Sequence, residues 1–266
     1  MRHLNLSRLI HGKVQDPAVV AVVSSLIRAL AAVEDDYIHK RLLRELVRKY
    51  VSLEKMVDRL LKNTLPEVVA EEIKYQGVFT PIKADCSVLF TDVAGFTKLA
   101  THLALDRLIA ILDGIFAGCD GIVERHGGTK IKTIGDSYMA VFGVPEPLEQ
   151  HAVQAVLTAR ALLDFIDQFN RETFGEQRDH YFQFRVGIHC GEVMAGVIGR
   201  ERMQFDIFGD NVNIASRFES SGEPGRINVS EDVFHRTRDR FVFDARGEIP
   251  LKNHGCMRAY YVCGLR

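Results

Sequence analysis

Two aspartates raise the first chemical question, Asp92 at the end of "CSVLFTD" and Asp136 inside "TKIKTIGDSYMAVFG". Asp136 follows Gly135 between two arms rich in apolar and β-branched residues, which is the pattern of a hairpin turn. A turn aspartate ordinarily serves the turn itself, because its side chain bonds nearby backbone and tolerates left-handed geometry. Two carboxylates placed side by side, however, repel unless they share a proton or a cation bridges them. Only hard oxygen donors are on offer here, which favours Mg²⁺ or Mn²⁺ over zinc. Directly after Asp92, "AGFT" (Gly95, Phe96 and Thr97 among it) leads into a helical pattern. Free N–H groups at a helix start attract phosphate. Divalent metal next to a phosphate cradle means nucleotide chemistry.

A second cluster lies in "QFDIFGDNVNIASRFE" (204–219). Asn213 and Arg217 are i,i+4 on a predicted helix and project from one face, while Ile214 and Phe218 form a parallel pair suited to the core. An arginine that can fork onto phosphoryl oxygens, one turn from an amide that can hold a sugar, fits phosphoryl transfer. The plain alternative for such a pair is a solvated helix face.

Periodicity supplies the scaffold for these residues. "CSVLFTD" (86–92) predicts a buried strand. The long helical pattern after it has Leu99, Leu103, Leu108, Leu112, Ile115 and Phe116 on one face. A hairpin over 129–142 comes next, then a helix through Val153, Val156, Leu163 and Ile166. A strand "FQFRVGIHC" (182–190) follows, with glycine at 191. A second hairpin, "EVMAGVIG/RERM/QFDIFG", precedes the helix "NVNIASRFESS". The core order is β-α-β-β-α-β, so the expected class is α+β with a ferredoxin-like core. In that topology the right-handed crossover leaves a slot between strands 1 and 2, and strand 3 fills it antiparallel to strand 1. The end of strand 1, with Asp92, then sits beside the turn with Asp136. The glycine turn becomes a scaffold for a second carboxylate.

Composition excludes several function classes. With 266 residues, 47% hydrophobic and 26% charged, the chain suits one large domain or a domain plus an accessory segment. The net charge of −1 gives no global attraction to nucleic acid or anionic membrane. Five cysteines without CxxC spacing read as reduced, mostly buried thiols of a cytoplasmic protein, neither a disulfide frame nor a zinc site. The start "MRHLNLSRLIHGK" lacks the apolar run of a signal peptide. The most apolar stretch, residues 17–33, is too short to span a bilayer and contains Arg28.

Residues 18 to about 62 contain neither glycine nor proline. Val23, Leu26, Leu30, Val33 and Tyr37 repeat with 3-4 spacing. After a break of phase, Leu43, Leu46, Tyr50, Leu53, Val57 and Leu60 do so again. The second block predicts a coiled-coil seam, with an amphipathic helix packed on its own domain as the alternative. "KNTLPEVVAEEIK" (62–74) reads as a helix stop and restart, with Thr64 as cap and Pro66 in the first turn. The expected division is a helical segment, 1–80, and a catalytic domain, 81–266.

Taken together, these motifs resemble the catalytic domain of class III adenylyl cyclases over about residue 84 to the C-terminus. "FTDVAGFT" and "IKTIGDSYM" resemble the two metal-aspartate motifs, "FRVGIHCGEVMAGVIG" the central strand and dimerisation arm, and "FDIFGDNVNIASR" the base-and-transition-state segment. The resemblance implies that Asp92, Asp136 and the Val93 carbonyl hold two ions of Mg²⁺ or Mn²⁺. It implies that Lys132 and Asp206 read the purine, with Ile207 beside Asp206 in the substrate-binding set. Asn213 would orient the ribose, and Arg217 would stabilise the charged α-phosphoryl group. Gly95, Phe96 and Thr97 would cradle phosphate. Where the family often carries a Lys-Gly-Lys-Gly loop this chain has "LKNHGCMRAYY", in which Lys252 can reach the terminal phosphates and His254 replaces the second lysine.

The implied reaction is conversion of ATP to 3′,5′-cyclic AMP and pyrophosphate by a homodimer with its sites at the interface. Guanylyl versions carry Glu and Cys at the two purine positions, so Lys132 and Asp206 favour ATP. Lys130 is the nearest rival to Lys132. Alternatives are a guanylyl or dual-specificity cyclase and an inactive nucleotide-binding dimerisation partner. "LPEVVAEEI" resembles the element that couples regulatory modules to such domains, so an upstream sensor or regulator acting through the N-terminal helices is a further expected partner.

Overall fold

The structure of the protein is a computed structural model that describes residue 25 and residues 36–96, 103–251 and 255–266. The first helical block (Val23, Leu26, Leu30 and Val33), Thr97, Leu99, Lys252 and His254 lie outside the described residues. The chain divides into two compact units, 1–61 and 62–266.

In the first unit, helix α1 (Asp36–Lys62) carries Tyr50, Leu53, Val57 and Leu60 as exposed apolar side chains at 3-4 spacing. The second unit opens with α2 (Glu67–Gln76). Its cap position is Pro66 rather than the expected Thr64, with no side-chain cap bond, and the Pro66 carbonyl accepts the first helical bond from the Ala70 amide at 2.9 Å. Leu65, Val69, Ala70 and Phe79 are buried, so residues 62–80 are an integral part of the second unit.

The sheet of the second unit is built around β1 (Ile82–Val93), with β2 (Gly128–Ile134) and β3 (Ser137–Phe142) on one side. On the other side stand β4 (Phe184–Ile198), β6 (Ile227–Ser230), β7 (Phe241–Leu251) and β8 (Gly255–Leu265). The order is β2-β3-β1-β4-β6-β8-β7, and β5 (Gln204–Phe208) pairs with the far half of β4. Strand β1 is antiparallel to both β3 and β4, as the ferredoxin-like reading requires. The strand expected over 182–190 and the first arm of the expected second hairpin form one 15-residue strand that runs through Gly191. The glycine gives room for packing, since a Cβ there would meet Asn211 at 2.4 Å. Beyond the βαββαβ core, β6 to β8 extend the sheet past anything the periodicity announced.

Cys86 through Thr91 are all buried, so both faces of β1 are covered. On one face α3 (Leu105–Arg125) and α4 (His151–Phe174) close the main core, meeting Leu89, Val93, Tyr138, Phe142, Val186 and Ile188. The helix expected after "VAGFT" is not one continuous element: Phe96 is helical, Ala104 is extended, and α3 starts at Leu105. On the other face lies α5 (Asp210–Ser220), whose Ile214 and Phe218 are buried as their spacing required. They pack with Ile249 and Ala259 of the C-terminal strands. Strand β4 seats this helix by giving up side chains. A Cβ at Gly187 would stand 2.0 Å from the Glu219 backbone nitrogen.

Candidate active site

The carboxylates arrive at one place by register. Thr91 of β1 pairs with Tyr138 of β3, which sets Asp92 beside the two-residue turn Gly135-Asp136. Gly135 has φ 64, the left-handed geometry that makes glycine the natural first residue of this turn. The Ser137 hydroxyl, just past the turn, donates to Asp92 Oδ1 at 2.6 Å. Burial pushes the Asp136 carboxyl up from its ordinary range, and the charge of Asp92 and a hydrogen bond with it push it further. Two adjacent carboxylates oppose each other's ionisation unless a cation bridges them. A hard divalent cation would relieve that repulsion, so the donor set fits Mg²⁺ or Mn²⁺. Among the described residues no three His, Cys, Asp or Glu side chains are arranged around one metal position. Two carboxylates with the remaining positions left to phosphate oxygens and water is an ordinary arrangement for Mg²⁺. Val93, the expected carbonyl ligand, ends β1 opposite Phe184 and is buried.

Two residues that sequence reasoning passed over complete this cluster. Arg185 of β4 stands directly opposite Asp92, and its Nη2 donates to Asp92 Oδ2 at 2.6 Å. Its Nε donates to Glu219 Oε1 at 3.0 Å. Glu219 lies on the buried side of α5, and its carboxyl is pushed up to about 7, by burial first and then by the charge of Asp92, with Arg185 opposing. A signal existed for both. Glu219 shares the helix face of the core residues Ala215 and Phe218, and a carboxylate in such a position demands a cationic partner. Arg185 is a charge in the middle of a predicted buried strand.

Lys132 and Asp206 also meet. The strand β2 carries the lysine and β5 the aspartate, and Lys132 Nζ donates to Asp206 Oδ2 at 2.5 Å. The other oxygen, Oδ1, accepts from the Ile207 amide at 2.9 Å, which fixes the carboxylate. The Ile207 side chain itself is buried. The rival Lys130 is committed elsewhere, donating to Asp120 at 2.8 Å. Asn213 and Arg217 share the open face of α5, both exposed, and among the described residues neither side chain is held by another. Gly95 turns the chain after β1 with φ 73, and Phe96 packs partly buried against the main core. The chain thus offers a carboxylate pair, a lysine–aspartate pair, and a free arginine with a free amide. That set can hold a metal, read a base and neutralise a phosphoryl group.

Residues 80–264 match the family described as the adenylate and guanylate cyclase catalytic domain. An adenylate cyclase of Mycobacterium tuberculosis is 39% identical over 229 residues, covering 84% of this chain and 50% of that protein. The chain therefore spans about half the length of that curated relative. Among solved structures, the adenylyl cyclase CyaB from P. aeruginosa superposes with a TM-score of 0.68 at 28% identity, over 71% of this chain and 98% of that one. The guanylate cyclase domain of RhGC from Catenaria anguillulae, solved in complex with GTP, superposes with a TM-score of 0.64 at 30% identity, over 71% of this chain and 100% of that one.

Proposed function

Because the chain belongs to the adenylate and guanylate cyclase catalytic domain family, we propose that this class III nucleotidyl cyclase converts ATP to 3′,5′-cyclic AMP and pyrophosphate. The observation that carries the choice of ATP is the Lys132–Asp206 pair. Adenine offers a ring-nitrogen acceptor for the lysine and an exocyclic amino donor for the aspartate, whereas guanine presents the reverse. Asp92, Asp136 and the Val93 carbonyl would hold Mg²⁺ or Mn²⁺, which when bound lower the pKa of the ribose 3′-hydroxyl and neutralise the triphosphate. Asn213 orients the ribose so that the hydroxyl lies in line with the α-phosphorus and pyrophosphate departs opposite to it. Arg217 forks onto the oxygens where charge accumulates, and this positioning and charge stabilisation supply most of the rate. A guanylyl or dual-specificity reading keeps its interest because a relative of similar fold was solved with GTP. Steady-state kinetics with both nucleotides decide. The wild type should prefer ATP in kcat/KM, and Lys132→Glu with Asp206→Cys should shift that ratio towards GTP by at least ten-fold. An unchanged ratio would mean that the purine is read elsewhere.

The exposed seam of α1 supports pairing of two chains through a parallel coiled coil. Such a tether raises the local concentration of the two catalytic units. Removing residues 1–61 should therefore lower activity on dilution and shift sedimentation towards the monomer. Identical behaviour of the two proteins over a dilution series would leave the seam without this role. Among the described residues no helix is long and apolar enough to cross a membrane.

A further inference from the structure

Helix α4 carries a cation that nothing in the fold answers. Arg160 follows the fully buried Ala159 and is itself half-buried. Its Nη1 is closed off from solvent and has no hydrogen-bond partner. Among the described residues Arg160 also enters no ion pair. A guanidinium cannot escape burial by losing its proton, because its charge persists throughout the pH range in which proteins fold. A buried charged donor without an acceptor is costly, and each such group in a fold calls for an explanation.

The surroundings of Arg160 supply one. It lines a cavity of about 390 Å³ between α4 and the ends of β6 and β8. That volume lies in the range of small-molecule sites, which are mostly apolar with a few polar groups. Leu163, Ile227 and Val262 give the apolar walls, and all three belong to the main core under α4. Arg226 borders the cavity too, but its guanidinium is turned away onto the Tyr261 ring, 3.7 Å from the centroid. Tyr261 alternates with Val262 along β8 and so faces the other side of the sheet. The remaining charge is the exposed carboxylate of Asp164, one turn along α4 from Arg160. Helix α5, with Asn213 and Arg217, packs on the opposite face of the sheet, so this cavity is separate from the candidate active site.

We propose that the cavity binds a small organic monocarboxylate, with its carboxylate on Arg160 and its apolar body along Leu163, Ile227 and Val262. The planar carboxylate matches the two-pronged guanidinium, and such charge-assisted pairs are the strong ones. The apolar walls reward a hydrocarbon body, which inorganic phosphate lacks. Asp164 opposes a second negative charge near Arg160, which disfavours a dianion. The site does not depend on which nucleotide the active site takes.

The test is ligand-observed saturation-transfer NMR on the full-length protein, without nucleotide or metal, with hexanoate as the probe. Wild type should bind hexanoate saturably. Arg160→Met should bind it about ten-fold or more weakly, the worth of a hydrogen bond to a charged group. Arg217→Ala, which removes the exposed arginine on the opposite face, should bind it as wild type does. Arg160→Met should fold at least as well as wild type by thermal unfolding, because it gives up no hydrogen bond or ion pair. If it does not fold, Arg160→Gln carries the same comparison. No saturable binding by wild type would overturn the proposal and leave the cavity to water. Undiminished binding by the folded Arg160 variant would overturn it too, by seating hexanoate elsewhere. Inorganic phosphate, titrated in parallel by its ³¹P line width, should bind more weakly than hexanoate. Tighter phosphate binding that Arg160→Met abolishes would overturn the assignment to a monocarboxylate.

Discussion

Replacing either Asp92 or Asp136 with alanine should abolish cyclic nucleotide formation, by roughly a thousand-fold or more, in a protein that still folds. The magnitude follows from the several kcal/mol that metal assistance contributes to such reactions, at about 1.4 kcal/mol for each factor of ten. Folding should survive because neither side chain belongs to the apolar core. Losing Asp136 removes a carboxyl already driven towards its neutral form by burial and by Asp92. Losing Asp92 leaves Arg185 still paired with Glu219. The measurement is cyclic AMP produced from ATP with Mg²⁺ and with Mn²⁺, alongside a circular dichroism spectrum. Near-normal turnover by either folded variant would dismiss the two-carboxylate metal site.

The second large effect is gained rather than lost. In a two-fold dimer with shared sites, the carboxylate pair of one chain would meet Arg217 and the Lys132–Asp206 pair of its partner, and the reverse contact would form the second site. Arg217 is suited to act on a neighbour, being exposed on the open face of α5 with no partner among the described residues. Asp92→Ala and Arg217→Ala proteins should each be inactive alone. In a heterodimer of the two, one site carries both defects and the other carries none. Mixing them under conditions of subunit exchange should restore about half of the wild-type activity per heterodimer. Heterodimers shown by differential tagging to exist, yet lacking activity, would confine the site to a single chain.

Much of this arrangement was legible in the residues, and the limits have physical causes. Asp92 and Asp136 were brought together by topology alone, because a βαββ unit with right-handed crossover permits one placement of strand 3. The buried side of α5 was readable from Ile214 and Phe218, because a 3.6-residue period leaves no choice of face. The strand before Gly191 and the hairpin arm after it were read as separate elements, since glycine in a strand signals either a turn or a close approach, and only the opposing Asn211 distinguishes them. The start of α3 was misplaced because apolar spacing continues through Leu103 while the backbone at Ala104 is extended. The partnership of Arg185 and Glu219 lay out of reach for another reason. Each stands out as a charge in an apolar pattern, but a buried ion pair is a property of two distant positions, and neither half names the other.

The seat of α5 on β4 has a consequence for how this protein can change over generations. At Gly187 the gap is so narrow that any added carbon collides with main chain, which cannot yield as a side-chain tip can. Substitution there displaces the helix itself, together with everything it carries on both faces, so the position admits almost no drift. The Lys132–Asp206 pair, proposed above to read the purine, is built differently. Lys132 is partly open to solvent, and its contact with Asp206 lies between side chains on strands β2 and β5. If that pair reads the base, nucleotide preference would be free to wander while the seat of α5 stays locked. A lineage with this architecture would then trade one cyclic nucleotide for another through a couple of substitutions that leave the helix seat intact.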